Sequence, residues 1–173
     1  MKENTQKVFD GVLAMCYIVL LLGSAPFVPS CWFFLENHFQ WYRVLPQLVA
    51  ALLVIVLFCY LPKKPMRRVL GFSLFVGLFF YSMSRLERPV EQIHFTEYGA
   101  LSFFLFKMAR HGIRPPWCHG ASVLGAFGVG LVDELFQGFL PNRVYDPRDI
   151  LINLWAGGLG MFIFAYVLTP QPF

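Results

Sequence analysis

At 173 residues the chain has the length of one ordinary domain. It is 57% hydrophobic and 14% charged, whereas a soluble domain has about a quarter of its residues charged. Composition therefore argues against a water-soluble globule, and its net charge of +4 sits in short loops between apolar runs, which reads as membrane topology with no nucleic-acid partner.

The first stretch, "MKENTQKVFDGVLAMCYIVLLLGSAP", imitates a secretory signal peptide, with Lys2 and Lys7, an apolar core, and the small residues Gly23, Ser24 and Ala25. Pro26 would follow the cut, so an uncleaved first span is expected. Apolar runs of about 17–25 residues can cross a bilayer as helices. Six are expected, near 8–28, 44–61, 69–84, 92–108, 119–140 and 149–168. The fold class is accordingly an all-α, polytopic membrane helix bundle.

Between the first two spans, "CWFFLENHFQWYR" suits a short helix on the outer surface, its rings read as an interfacial aromatic belt. The third and fourth spans are short, and Arg85 and Lys107 at their ends have stems long enough to snorkel. Pro62, Pro65, Pro89, Pro115, Pro116, Pro141 and Pro147 fall between spans, as helix punctuation should. Nine of the fourteen basic residues lie on one side, and "PKKPMRR" carries most of that bias. Both termini are therefore expected in the cytoplasm, with the chain in the inner membrane. Cys16, Cys31, Cys59 and Cys118 are scattered and show no ligand spacing.

Spans one to three read as nearly free of internal ionisable residues. Polar residues gather instead near the outer ends of spans four to six. His94 is three residues from Glu97 and four from Tyr98, so all three share a helix face. Asp133 and Glu134 each relate to Gln137, and Asp149 to Asn153, by the same rule. Small residues at Ala121, Gly125, Gly130, Ala156 and Gly160 would let the helices approach closely. The glycines of "GVGLVDE" lie inside a span with no preceding strand, so they are not a phosphate loop. Consecutive helix residues point about 100° apart. Either Glu134 faces span four and Asp133 span six, or the reverse, and two acids this close and dry are not both expected to ionise.

"EQIHFTEYGALSFFLF" followed by "DELFQGFLPNRVYDPRDILINLWAGGLG" resembles the VanZ-like family of bacterial membrane proteins. The second motif carries the resemblance, with its acidic pair, Gln137, Pro141, Arg143, Asp149 and Asn153. This makes 88–168 the VanZ-like core, and 1–87 the hydrophobic N-terminal spans with their aromatic segment. Glu91 stands where the family often has a basic residue, and Asn142 where Gly is frequent. The resemblance implies a cell-envelope protein, in a family associated with resistance to glycopeptide antibiotics such as teicoplanin. It does not name a reaction or a cofactor.

Helix glue is one explanation of the polar residues, but interhelical polar contacts average only ~0.6 kcal/mol. Inserting each acid costs roughly 2.5–3.5 kcal/mol, which favours function. As a hydrolase or transferase on a lipid-linked or phosphate-bearing envelope substrate, the site would use Glu134 or Asp133 as general base and His94 as acid or base. Arg143 and Arg148 would hold a phosphate at the mouth, with Asp149, Gln137, Tyr98, Asn153 and Glu97 completing the pocket. Ser102 and Ser122 lie off the polar face, so water is the expected attacker. One His and three carboxylates (His94, Glu97, Glu134 and Asp133) would suit a hard divalent ion better than zinc, but without a ligand motif a metal site is the less favoured reading and no metal ligand is assigned. The other histidines, His38, His111 and His119, read as solvated. The alternative is a non-catalytic protein that binds an envelope precursor or a glycopeptide-type antibiotic. Transport fits less well, because the halves show no inverted repeat.

Overall fold

The computed structural model describes residues 2–59, 65–115, 117–140 and 145–164. Among these are seven α-helices, a single 3-10 turn at Tyr42–Val44 and no strand. The helices are α1 (Lys2–Ser24), α2 (Val28–His38), α3 (Leu45–Cys59), α4 (Met66–Ser84), α5 (Pro89–Ala109), α6 (Trp117–Gln137) and α7 (Pro147–Phe162). Proline sets several of the starts. Pro65 caps α4, while Pro29, Pro89 and Pro147 occupy the first turns of α2, α5 and α7, where their missing N–H is no loss. Asp146 caps α7 by accepting from Arg148 N at 2.9 Å.

The expected all-α class is what the chain adopts, with one element placed differently. The run expected as a single span to residue 28 ends as a helix at Ser24, turns through 25–27, and restarts as α2. Hydropathy alone cannot see that break, because both sides are equally apolar. α2 is the short helix expected between the first two spans, and none of its residues is buried.

Among the described residues, two helices are long and apolar enough to cross a membrane, Asn4–Ser24 and Met66–Ser84. α5 and α6 have 21 residues each, ~31 Å at 1.5 Å per residue, with polar groups along them. Lys63 and Lys64, which dominate the expected orientation, lie outside the described residues, as does Arg143.

α5, α6 and α7 pack pairwise, with α1 and α3 against α5. Glycine makes the α5–α7 contact. A Cβ on Gly160 would collide with Gly99 O and stand 2.7 Å from Ser102 Oγ, so nothing larger than hydrogen fits without the helices parting. Phe75, Phe79 and Phe95 form a file of rings 5.4–5.5 Å apart that joins α4 to α5. This frame fixes the facing surfaces of α5, α6 and α7, where the polar residues lie.

Candidate functional site

The N-terminal half of α5 and the C-terminal end of α6 meet the start of α7 at one end of the bundle. Asp133 and Glu134 are both 0% exposed. Asp133 Oδ2 accepts from the Tyr98 hydroxyl of α5 at 3.1 Å and from Gln137 Nε2, one turn along α6, at 2.9 Å. Glu134 points the other way, where its Oε2 accepts from Asp146 N at 3.3 Å, just before α7. Of the two orientations open to the pair, the structure adopts the one with Asp133 facing α5. The consecutive acids thus bridge to both neighbours, as their ~100° offset requires.

Tyr98 is fully buried, and the His94 ring lies 6.2 Å from its ring, centroid to centroid. His94 Nδ1 is 3.7 Å from Glu97 Oε2, one turn away on the same helix. Asn153 of α7 is 0% exposed. Its amide sits over Gly130 of α6, where a Cβ would stand 3.0 Å from Asn153 Nδ2 and 3.2 Å from Tyr98 Cε1. Gly130 is therefore the opening that lets Tyr98 and Asn153 come together beside Asp133. Among the described residues neither Asn153 Oδ1 nor Nδ2 has a hydrogen-bond partner, and Asp149 Oδ1 has none either.

Arg148 stands at the rim with half its side chain exposed, and its Nη1 is 4.0 Å from Glu91 Oε1. Thus Glu91, His94, Glu97, Tyr98, Asp133, Glu134, Gln137, Arg148, Asp149 and Asn153 occupy one end of the three helices. Glu91 stands out in the sequence only as a departure from the family pattern, not as a site residue. It is 5% exposed and reaches back to Arg88 N at 3.5 Å, half of a capping box. The signal was available, since Pro89 opens the helix and Glu91 stands at its third position.

Among the described residues no group of three or more His, Cys, Asp or Glu side chains is placed to hold a metal ion. Ser102 and Ser122 are fully buried, and their hydroxyls return to their own helices, on Gly99 O at 2.8 Å and Cys118 O at 2.6 Å. Neither is a poised nucleophile.

The VanZ/LLP1 family profile matches residues 5–168. The chain belongs to the VanZ/LLP1 family. The match runs well beyond the motif region in the second half and takes in α1 to α4 as well. No curated protein and no solved structure matches the chain.

A second polar cluster in this VanZ/LLP1 chain corrects the expectation that the first three spans carry almost no internal charge. Asp10 of α1 has a fully buried carboxylate, within 2.9 Å of Lys107 Nζ, 2.9 Å of His111 Nε2 and 3.6 Å of Arg110 Nη2. Gln6 Nε2 donates to it at 3.0 Å. His111 is thus a partner of a buried acid and not a solvated loop residue, and Lys107 is directed at Asp10. His119 also departs from a solvated loop role, since it lies in the first turn of α6 and stacks on Phe106 at 5.1 Å. His38 is exposed at the end of α2, as expected. No local spacing rule points to Asp10, because its charged partners lie about a hundred residues along the chain.

Proposed function

We propose that the end of the bundle formed by α5, α6 and α7 is an outward-facing intramembrane site that acts on the headgroup of a lipid-linked or phosphate-bearing cell-envelope substrate. The observation that carries this reading is the pair Asp133 and Glu134, both wholly buried and held toward different helices. Ionisable groups at such depth in a membrane protein mark functional sites by default. Membrane embedding is supported by family membership, by the two apolar helices, and by Leu20, Leu52, Phe58 and Leu70, each more than half exposed. On this reading six helices cross the inner membrane, both termini are cytoplasmic, and α2 lies along the outer interface.

Chemically, Asp133 is the orienting acid, since Tyr98 and Gln137 both donate to one of its oxygens and fix its plane. Glu134 is the general base, activating water for hydrolysis or transfer, and His94 serves as the acid. The absence of a poised serine favours water as the attacker. The unpartnered Asn153 amide favours a second reading: a binding protein for an envelope precursor or glycopeptide-type antibiotic, in which these same groups recognise without turnover.

Incubating the purified protein with lipid-linked envelope precursors, with and without divalent metal, separates the two. Turnover that is abolished in Glu134→Gln establishes the enzyme. Stoichiometric binding without product establishes the binder. Neither binding nor turnover with any precursor would contradict both.

A further inference from the structure

The charges of the chain are sharply partitioned. Segments 85–97 and 133–149 of the sequence, from which the described residues at the polar end of α5, α6 and α7 are drawn, hold seven of the ten carboxylates and four arginines, one of them (Arg143) outside the described residues. The remaining sequence holds three carboxylates and ten lysines or arginines. An anion approaching the polar end meets a net negative field, and a cation is drawn in.

A second observation points the same way. Asn153 is wholly buried beside the Tyr98–Asp133 hydrogen bond, and its amide oxygen and nitrogen have no partner among the described residues. A buried amide left unpaired is costly, and a hydrogen-bonding group beside it would relieve that cost. It offers an acceptor at Oδ1 and a donor at Nδ2. An ammonium supplies N–H groups for the acceptor and for the carboxylates, while an oxygen a few bonds away takes the donor. At the rim, Arg148 is half-exposed and only loosely paired with Glu91 at 4.0 Å, which suits a phosphate outside the acidic pocket.

We propose that the α5–α6–α7 site receives the ammonium group of an amine-bearing phospholipid headgroup, with Asp133, Glu134 and Asn153 around the amine and Arg148 at the phosphate. This rests on the reading of that end as a ligand site and narrows it to a zwitterionic headgroup held amine-inward. Each N–H of a primary ammonium is matched by a carboxylate or amide oxygen. A quaternary ammonium keeps the charge and loses those hydrogen bonds, and a glycerol headgroup loses both.

The full-length protein in detergent is offered equimolar phosphatidylethanolamine, phosphatidylcholine and phosphatidylglycerol, and retained lipid is read by native mass spectrometry. Phosphatidylethanolamine is expected to exceed phosphatidylglycerol by about tenfold, the scale of one charge-assisted pair, with phosphatidylcholine between them. Asp133→Asn should bring the three toward parity with the unfolding midpoint unchanged. If that variant does not fold, phosphatidylethanolamine with its amine capped as an amide replaces it, and capping should remove the preference in the native protein. Equal retention of capped and uncapped lipid would overturn the ammonium proposal. Phosphatidylglycerol retained as well as phosphatidylethanolamine would do the same, and if Asn153→Ala still released it the site itself would stand. Retention indifferent to headgroup and to every substitution would overturn both. Displacement of the lipid by free ethanolamine at matching concentration would overturn the lipid as the source of the amine.

Discussion

At one end of α5, Tyr98 donates to Asp133, which Gln137 also reaches. At the other, Lys107 meets Asp10 at 2.9 Å, with Arg110 and His111 beside it. Both acids are buried, and they are satisfied in opposite ways. Asp10 is surrounded by cationic and histidine side chains from the end of α5, so its charge is answered within the fold and α1 is tied to α5. Asp133 accepts from two neutral donors, Tyr98 and Gln137, which orient its carboxylate, and it lies in segments whose sequence holds seven carboxylates and four arginines. The first arrangement is a clasp. The second is suited to receiving something from outside, and the difference shows that burial of an acid does not by itself distinguish structure from function.

The strongest way to break the comparison is at Gly130. In Gly130→Ala the new methyl would stand 3.0 Å from Asn153 Nδ2 and 3.2 Å from Tyr98 Cε1, pushing apart the groups that frame Asp133. Those neighbours must give by a few tenths of an ångström, short of the ~1 Å misplacement that costs on the order of 100-fold in a reaction, so turnover or ligand affinity should fall by about tenfold while the midpoint of thermal unfolding moves little. A variant as active as the native protein would remove Asn153 and Tyr98 from the site.

Next comes the clasp. Asp10→Asn leaves Lys107, Arg110 and His111 together without their acid. Breaking an enclosed pair is strongly destabilising, but Lys107 and Arg110 retain paths to solvent, so the cost is put at about 1–2 kcal/mol. Thermal unfolding should shift downward, with function per folded molecule retained. An unchanged midpoint would mean the clasp is idle.

The smallest effect belongs to neither cluster. Trp155 Nε1 donates to Ser82 Oγ at 2.8 Å, joining α7 to α4. Trp155→Phe should lower stability by about 0.5–1.5 kcal/mol, the usual net value of one hydrogen bond, and leave ligand binding alone.

The sequence made some of this legible and hid the rest for identifiable reasons. Pro65, Pro89 and Pro147 mark helix starts because proline's fixed φ and missing N–H act locally. The shared face of His94, Glu97 and Tyr98 follows from helical spacing, as does the pairing of Asp133 with Gln137. Which acid turns toward α5 does not follow, because a ~100° offset fits two rotations of α6 equally well, and packing over Gly130 decides it. Gly99 passed unnoticed because its importance lies in a partner, Gly160, on another helix. Asp10 was hidden by distance along the chain. The turn between α1 and α2 was hidden by uniform hydropathy.

Glu134→Gln and Asp10→Asn, measured side by side for function and for thermal unfolding, test the account most directly. Glu134→Gln keeps the shape and the acceptor for Asp146 N, so its midpoint should hold or rise as a buried charge is removed. Its turnover or ligand binding should fall at least ~100-fold, while Asp10→Asn shows the reverse pattern. A Glu134→Gln protein that functions fully, or that loses its fold as Asp10→Asn loses stability, would make the two clusters the same kind of object and contradict the account.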